Sequence, residues 1–378
     1  MMTVQDYLDK SLERLRAEGN FRRIPAASDS RLLDFSTNDY MGIATRLDLQ
    51  RDFLLKNAGR VSLTSSASRL LASDQQSYTE LEALLAGLYS RETLLFNSGY
   101  HANTGMVSAL ADKHTLIAAD RLVHASILDG VRLSDGTMRR WRHCDYDHLE
   151  KLLQKEASAY DRILIVAESV YSMDGDAADI RRLVKIKRHY PQAMLYIDEA
   201  HALGVCGPHG LGLCRELSEA DYNEVDVIIG TFGKACASSG AFAAVSHTLR
   251  DYAVNRARSL IFSTALPPLC CAWTAETMRL ITGMDAERSH LHRLGDHLAA
   301  GLHSLGFEAS PSHIQPIVIG DASKAVAVAS RLLDDGVKVL PIRTPTVPPG
   351  TERLRISLSA SNTEADIDRL LTALSHAL

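Results

Sequence analysis

Short apolar runs alternate with helical patterns through the first two thirds of the chain. Five runs rich in Val, Ile and Leu are bounded by turn residues, a pattern typical of buried strands. They cover residues 93–96, 115–118, 163–167, 194–197 and 225–229. Because parallel strands need crossover helices between them, this alternation predicts an α/β fold with a mostly parallel central sheet and helices on both faces.

The pattern changes after about Met278. It predicts a long helix over 287–305, a strand over 314–319, a helix over 324–335, strands near 337–341 and 354–359, and a last helix from Thr363. Such a mixture of helices and strands predicts a smaller α+β domain at the C-terminal end of the chain.

At the other end, apolar residues recur at helical spacing among charged ones, from Val4 through Tyr7, Leu8 and Leu12 to Leu15. This spacing predicts an amphipathic helix rather than a signal peptide. We therefore expect three parts: an N-terminal helix and arm over 1–34, a large α/β domain over 35–275 and a small α+β domain over 276–378.

The composition is that of a globular protein with a large core. The chain has 378 residues, of which 46% are hydrophobic and 23% charged, and its net charge of −5 gives no reason to expect nucleic acid as a partner. No apolar run approaches the roughly 20 residues of a membrane span. Six cysteines lack a C-x-x-C spacing, which argues against a zinc ribbon and a disulfide framework and favours the cytoplasm.

Lys234 follows the apolar run at 225–229, in a segment of Gly, Ala and Ser that extends to Ala241. Lysine keeps its charge readily only in water, so a lysine packed among small residues at a strand end suits a chemical task. A Schiff base with an aldehyde is the chemistry that fits. A Gly-Lys pair after a strand also occurs in phosphate-binding loops and in ordinary turns, and these alternatives stay open at this point.

Asp198 follows the apolar run at 194–197 and begins the sequence Asp-Glu-Ala-His, with His201 on the same turn. One chemistry for this acid is ATP hydrolysis of the DEAH type, but that needs an upstream Gly-x-x-x-x-Gly-Lys-Ser/Thr loop, which the sequence lacks. The other is pyridoxal phosphate (PLP) catalysis, in which a carboxylate keeps the pyridine nitrogen protonated. His201 then reaches the phenolic oxygen of that ring; its alternative is a core histidine.

Three more segments follow predicted strands. Residues 97–105 open a helix whose free backbone N–H groups suit a phosphate, with Tyr100 at its mouth. His124 is placed to stack on an aromatic ring, and Ser172 to hold a cofactor oxygen. The alternatives are an ordinary turn, a core histidine and a helix-capping serine. With the lysine and the acid, five strand-end segments each carry one group that a PLP site needs.

Six longer stretches of the sequence also indicate a PLP enzyme. They are FSTNDYMG (35–42), ADRLVHAS (119–126), VYSMDGD (170–176), TFGK (231–234), IFSTALPP (261–268) and PTVP (345–348). Through them the chain resembles the α-oxoamine synthase family of fold-type I PLP enzymes over nearly its full length. The resemblance implies PLP as cofactor, no metal, and a cytoplasmic homodimer that shares its active sites and binds neither membrane nor nucleic acid.

The resemblance also implies residue roles. It assigns catalysis to Lys234, His124, Asp198 and His201, with Lys234 as the Schiff-base lysine, His124 stacked on the ring and Asp198 on the ring nitrogen. It assigns cofactor binding to Gly99, Tyr100, Ser172, Asp198, His201, Thr231, Lys234 and Thr264, with Thr264 reaching the cofactor of the neighbouring subunit. It assigns substrate binding to Arg22, Asn38, His124, Arg343, Thr346 and Arg355.

Arg355 is the expected clamp for the amino-acid carboxylate, because guanidinium binds carboxylate through two parallel hydrogen bonds. Arg353 lies two positions away on the same strand, and the simplest alternative is that one of the two arginines is merely at the surface. Two stretches depart from the family pattern. Residues 65–72 replace a glycine-rich run, and Ala237 stands where members carry the glycine of Lys-Ala-x-Gly.

The implied reaction is a decarboxylative condensation of an amino acid with an acyl thioester. The chain resembles most closely the members that use L-alanine and a pimeloyl thioester, carried on CoA or on a carrier protein. Glycine C-acetyltransferase, which uses glycine and acetyl-CoA, is the alternative within the family. From other classes, a DEAH-type ATPase and a catalytically inactive partner protein of the same fold remain to be distinguished.

Overall fold

The computed structural model describes residues 2–24, 32–73 and 75–378, and every structural statement below concerns these residues. Its strands are β1 (Leu33–Asp34), β2 (Glu92–Phe96), β3 (Thr115–Asp120), β4 (Thr137–Trp141), β5 (Arg162–Glu168), β6 (Ala193–Asp198), β7 (Val227–Thr231), β8 (Ala241–Val245), β9 (Ile314–Val318), β10 (Val337–Lys338), β11 (Leu340–Ile342) and β12 (Arg353–Ser357).

The α-helices are α1 (Val4–Ala17), α2 (Leu47–Asn57), α3 (Gln76–Tyr89), α4 (Gly99–Leu110), α5 (Ala125–Arg132), α6 (Tyr146–Glu156), α7 (Ile180–Lys187), α8 (Glu219–Tyr222), α9 (His247–Arg256), α10 (Arg258–Ile261), α11 (Pro268–Thr282), α12 (Asp285–Ser304), α13 (Ala322–Asp334) and α14 (Glu364–Ala377). Within the described residues, none of these helices combines the length and the apolar character needed to cross a bilayer.

The described chain forms two compact units. The larger unit, Met41–Ser172 with Asp176–Arg288, contains a seven-stranded sheet in the order β2-β8-β7-β6-β5-β3-β4. Four of its six strand pairs are parallel, and the two pairs that include β8 are antiparallel. The central strands are buried along their length, as expected for parallel strands that helices cover on both faces.

One face of this sheet packs against α4, α5, α9 and α10. The buried cluster on this face includes Phe96, Met106, Ile127, Val166 and Leu260. Because this core holds α4 and α5 against the strands, it sets the position of the loops that precede both helices.

The smaller unit consists of Met1–Tyr40, Met173–Gly175 and Ser289–Leu378. It contains the antiparallel sheet β11-β12-β9 and the short parallel pair of β1 with β10. Gly175 belongs to this unit with φ of +71°, and a Cβ there would lie 2.0 Å from the carbonyl oxygen of Ile314. Only glycine permits so close an approach of the two backbones.

The predicted fold class is confirmed, and so is each predicted strand of the large sheet, with bounds shifted by one or two residues. The strand expected at 225–229 begins at Val227, and the single strand expected near 337–341 is two strands, β10 and β11. The sequence pattern missed β1, β4 and β8. The predicted boundaries after residues 34 and 275 stay predictions, and residues 25–31 of the expected arm lie outside the described residues.

Candidate active site

The parallel strands β3, β5, β6 and β7 end along one edge of the large sheet. Asp120, Glu168, Asp198 and Thr231 are their last residues, and Glu168 is paired in register with Asp198. Ligands in α/β proteins bind beyond the carboxyl ends of such strands. With the exception of Thr264, which lies between α10 and α11, the predicted cofactor residues of this unit lie at or after these strand ends or at the N-terminus of α4.

Lys234 is half-buried, and its Nζ lies 2.6 Å from Nε2 of His201, which is 5% exposed. The turn that carries the lysine is closed by backbone hydrogen bonds from Ala237 to Lys234 and from Ser238 to Phe232. These bonds hold the amine beside the imidazole. The structure therefore brings together two residues that the sequence placed on separate strand-end segments.

Ala237, the departure from the family pattern, has a φ of +45°. This is the left-handed region, where a side chain is strained and glycine is favoured. The Trp273 indole N–H donates to the Ala237 carbonyl at 2.9 Å, which ties this turn to α11. Ala237 thus adopts a backbone conformation that glycine favours, despite its methyl group.

Asp198 is 4% exposed, and its charge is met by neutral donors. The backbone N–H of Ala200 donates to Oδ1 at 2.9 Å, and the amide of Asn103 donates to Oδ2 at 2.7 Å. Burial of an ionised carboxylate is unfavourable unless a cation or several donors compensate it. A protonated ring nitrogen is a suitable cation for this position.

Asn103 was missed by the sequence analysis, although it lies within the predicted phosphate-binding segment. It is 2% exposed and also donates to Ser126 Oγ at 2.9 Å, while the hydroxyl of Tyr196 donates to its Oδ1 at 2.7 Å. Ser126 and Tyr196 were missed too. The sequence pointed to them only through their closeness to predicted site residues. Ser126 follows His124 by two positions, and Tyr196 precedes Asp198 by two.

His124 is the N-cap of α5, and its Nδ1 accepts the backbone N–H of Ser126 at 3.2 Å. The side chain keeps solvent exposure, yet burial is the largest factor that lowers its pKa below 6.5. The Asp198 carboxylate raises the pKa and the Lys234 ammonium lowers it. The neutral imidazole is therefore the favoured form near neutral pH.

Glu168, at the end of β5, is a further buried carboxyl at this edge. It is 2% exposed, and burial followed by the nearby charge of Asp198 raises its pKa well above the ordinary value. Two adjacent buried carboxylates resist double ionisation. The raised pKa of Glu168 therefore favours the neutral carboxyl at this position. The sequence analysis did not assign Glu168 to the site.

The predicted phosphate-binding segment begins α4. Ser98 caps the helix by accepting the backbone N–H of His101, and a Cβ on Gly99 would lie 3.5 Å from Cβ of Thr231. Gly99 and Thr231 are thus neighbours at the helix N-terminus, where an anion is favoured. Tyr100 is 47% exposed, and its hydroxyl donates to Asp129 at 2.7 Å.

Ser172 and Thr264 complete the predicted cofactor set. Ser172 is half-buried, in the loop after β5 that the bridge between Val170 and Ala177 closes. Thr264 is exposed and pairs with Ser68 in an isolated bridge. The exposure of Thr264 is compatible with a contact to a second subunit.

The smaller unit holds the predicted substrate residues in two groups. In the first, Arg355 donates to Ser357 Oγ at 2.5 Å and to Asn38 Oδ1 and the Tyr40 hydroxyl at 3.2 Å. The alternative that Arg353 or Arg355 is merely at the surface is wrong, because they are 5% and 3% exposed. Arg353 is occupied by an ion pair with Asp174.

The second group joins the N-terminal arm to the loop after β11. Arg22 donates to Thr346 Oγ1 at 3.0 Å, and Arg343 donates to the Gly19 carbonyl oxygen at 2.7 Å. Burial and the charge of Arg22 lower the pKa of Arg343. Two neighbouring guanidinium groups of like charge favour the binding of an anion.

The donor set of the large unit fits PLP. It offers a half-buried amine at Lys234, a buried carboxylate at Asp198, an exposed imidazole at His124 and a helix N-terminus at Gly99. An aldehyde, a protonated pyridine nitrogen, a flat ring and a phosphate are the matching groups of the cofactor.

Known proteins share this architecture. A family model described as aminotransferase class I and II matches residues 30–374. The 8-amino-7-oxononanoate synthase of Chlorobaculum parvum is 44% identical, over 99% of this chain and 99% of its own length. A serine palmitoyltransferase from S. paucimobilis, solved with PLP and myriocin bound, has a TM-score of 0.89 at 28% identity, covering 98% of this chain and 96% of the other.

The crystal structure of 8-amino-7-oxononanoate synthase from Francisella tularensis has a TM-score of 0.77 at 26% identity, covering 92% of this chain and 98% of the other. The chain therefore belongs to the aminotransferase class I and II family, and within it to the α-oxoamine synthases. It is a PLP-dependent acyltransferase.

Proposed function

We propose that this enzyme condenses L-alanine with a pimeloyl thioester to give 8-amino-7-oxononanoate, a step of biotin biosynthesis. A carbon–carbon bond forms between the α-carbon of alanine and the acyl carbon, the carrier thiol leaves, and the alanine carboxyl group leaves as CO2. The carrier is CoA or a carrier protein. The names of the relatives with 42–46% identity support this assignment.

Lys234 is the residue that carries the proposal. Its amine would hold the cofactor aldehyde, and the same amine would remove the α-proton of the amino acid. The neighbouring His201 ring, 2.6 Å away, keeps the amine oriented. When bound, PLP supplies an electron sink for the carbanion. The Asp198 carboxylate would keep the ring nitrogen protonated, which makes that sink effective.

The other predicted cofactor residues take positioning roles in this proposal. Ser172 and His201 would hold the phenolic oxygen of the cofactor, and Gly99, Tyr100 and Thr231 would hold its phosphate. In a homodimer, Thr264 would bind the cofactor phosphate of the second subunit. Asn38 and Arg355 bind the amino-acid carboxylate, and their mutual hydrogen bond at 3.2 Å supports a joint role.

Arg22, Arg343 and Thr346 favour a pimeloyl over an acetyl substrate. The pimeloyl group ends in a carboxylate, and two guanidinium groups close enough to affect each other suit a carboxylate between them. An acetyl group has no such charge. This observation supports the pimeloyl assignment over glycine C-acetyltransferase.

Glu199 argues against the DEAH-type ATPase. In such a motor this glutamate would act on water, but here it is fully buried. Ser169 Oγ donates to it at 2.5 Å, and the backbone N–H groups of Leu213 and Cys214 donate at 3.1 and 2.7 Å. These three hydrogen bonds hold the Glu199 carboxyl group within the fold, where it does not act on water.

The test is thiol release by the purified PLP-loaded enzyme. Alanine and glycine are each paired with pimeloyl-CoA, heptanoyl-CoA and acetyl-CoA. We expect the highest kcat/KM for alanine with pimeloyl-CoA and a loss of about tenfold or more for heptanoyl-CoA, which lacks the terminal carboxylate. Faster turnover of glycine with acetyl-CoA would refute the proposal, and Arg22→Ala should remove the preference for pimeloyl over heptanoyl.

A further inference from the structure

A chain of hydrogen bonds leads from Asp198 to the ring of His124 within the large unit. The Asn103 amide donates to Asp198 at 2.7 Å and to Ser126 Oγ at 2.9 Å, and Ser126 Oγ lies 2.7 Å from His124 Nδ1. Asn103, Ser126 and Asp198 are 2%, 0% and 4% exposed. Water therefore has little access to the middle of this chain.

The direction of each hydrogen bond follows from the chemistry of the groups. The backbone N–H of Ser126 can only donate, so His124 Nδ1 is an acceptor and carries no proton. Tyr196 donates to Asn103 Oδ1, which turns the amide NH2 toward Asp198 and Ser126. Since Ser126 Oγ accepts from Asn103, its own hydrogen is directed to His124 Nδ1.

We propose that Asn103 and Ser126 are positioning residues that fix His124 as the neutral tautomer with its proton on Nε2. His124 then serves the proposed reaction, on which this inference rests, by donating a hydrogen bond from Nε2 to a substrate oxygen. It does not act as a general base, and it does not carry a full positive charge.

The surroundings of the ring agree with this assignment. His124 lies at the N-terminus of α5, where the helix dipole disfavours a cation. The charged groups that affect it are Asp198 and Asp129, which favour protonation, and Lys234, which opposes it. Burial is the larger influence and leaves the pKa lowered. A neutral imidazole at a helix N-terminus is an effective donor to a developing oxyanion.

The test measures the pKa of the His124 imidazole rather than the rate of turnover. Hydrogen–deuterium exchange at the histidine C2 position, followed by mass spectrometry between pH 4 and 9, gives the pKa of each histidine in the PLP-loaded and cofactor-free enzyme. We expect His124 to titrate below 6.5 in the cofactor-free enzyme. In Ser126→Ala the pKa of His124 should rise by about 0.5 unit or more, because a donor to the neutral ring is lost.

Two further variants complete the test. Tyr196→Phe removes the hydroxyl that orients Asn103, and should raise the pKa of His124 by a smaller amount than Ser126→Ala. Ser108→Ala is the matched control, since Ser108 lies on α4 and donates to the Thr104 carbonyl outside the chain of hydrogen bonds. It should leave the pKa of His124 unchanged.

Nitrogen-15 NMR of histidine-labelled enzyme identifies the tautomer directly, with Nδ1 expected as the unprotonated nitrogen. A protonated Nδ1 at pH 7.5, or an unchanged pKa of His124 in both Ser126→Ala and Tyr196→Phe, overturns the inference. These readings are independent of the substrate. An enzyme that shows the expected shifts but turns over no pimeloyl thioester would refute the proposed function alone.

Discussion

Nζ of Lys234 and Nε2 of His201 lie 2.6 Å apart at the edge of the large sheet. A contact this short requires one nitrogen to donate and the other to accept, so the two groups do not both carry a full complement of protons. His201 either accepts a hydrogen bond from the Lys234 ammonium or donates one to the neutral amine, and the neutral amine is the form that nucleophilic attack on an aldehyde requires.

Lys234→Ala should abolish turnover and the visible absorption band of the bound cofactor. The reason is that, among the described strand-end residues of the site, Lys234 alone offers an amine. The check is an absorption spectrum, with borohydride reduction and peptide mass spectrometry to locate the pyridoxyl group. Lys185→Ala, a change of an exposed lysine on α7, should leave both unchanged. A pyridoxyl group on any other peptide would contradict the assignment.

Arg355→Lys should raise KM for the amino acid by about tenfold to a hundredfold with a smaller effect on kcat, since lysine keeps the charge but loses the two parallel hydrogen bonds. Steady-state kinetics at saturating acyl thioester provide the measurement. Arg353→Lys is the control, because Arg353 is occupied by Asp174. It should lower the melting temperature and leave KM unchanged. Equal effects of both variants on KM would speak against a clamp at Arg355.

His143 holds two carboxylates outside the proposed site. Its Nδ1 lies 2.9 Å from fully buried Asp120 and its Nε2 lies 2.8 Å from Asp176. Burial works against the charged ring, but hydrogen bonds to Asp120 and Asp176 prevail and raise the pKa of His143 to about 12. The stabilisation is complete below the ordinary pKa of 6.5 and is lost as the pH rises toward 12.

His143→Gln should therefore reduce the free energy of unfolding by about 3 kcal/mol at pH 6, because Asp120 loses its cation. The difference in unfolding free energy between wild type and variant should shrink by about 1 kcal/mol between pH 7 and 9. This is less than the full effect of one bound proton, because the His143 ring is a quarter exposed and solvent screens its charge. Urea unfolding at three pH values measures this. His114→Gln, at an exposed histidine, is the control, and a difference that grows with pH would contradict the prediction.

Ala237→Gly should stabilise the protein by about 0.5–1 kcal/mol. Relief of the left-handed alanine contributes about 1–2 kcal/mol, and the greater freedom of glycine in the unfolded chain offsets part of it. Chemical unfolding of the cofactor-free enzyme gives the value. Ala241→Gly, in the extended strand β8, is the matched control and should destabilise by about 0.5–1 kcal/mol. Destabilisation by Ala237→Gly would show that the methyl group contributes more through packing than the strain removes.

The strand ends illustrate what sequence reasoning could reach. Lys234 and Asp198 were identified because each directly follows an apolar run, and the carboxyl ends of parallel strands share an edge. Strand β8 was missed because its run, Ala-Phe-Ala-Ala-Val, is rich in alanine and follows a stretch of small residues that suggested a turn. Its pairing between β2 and β7 is antiparallel and depends on partners far away in the chain.

Asn103 makes contacts that local sequence patterns cannot predict. It lies 95 positions from Asp198 and 23 from Ser126, yet it donates to both. No periodicity encodes that meeting, because it depends on how α4 crosses the sheet and on the register of β6 with its neighbours.

By itself, the sequence determined the fold class, the order of the buried strands and the lysine, acid and histidines that follow them, because strand and helix periodicity and the residues at strand ends are local properties. The tertiary structure decided which groups surround Nδ1 of His124, that Arg353 and Arg355 are both buried, and that Ala237 takes a glycine-like conformation. These outcomes depend on contacts between segments distant in the chain, whose distances exist only once the core has packed.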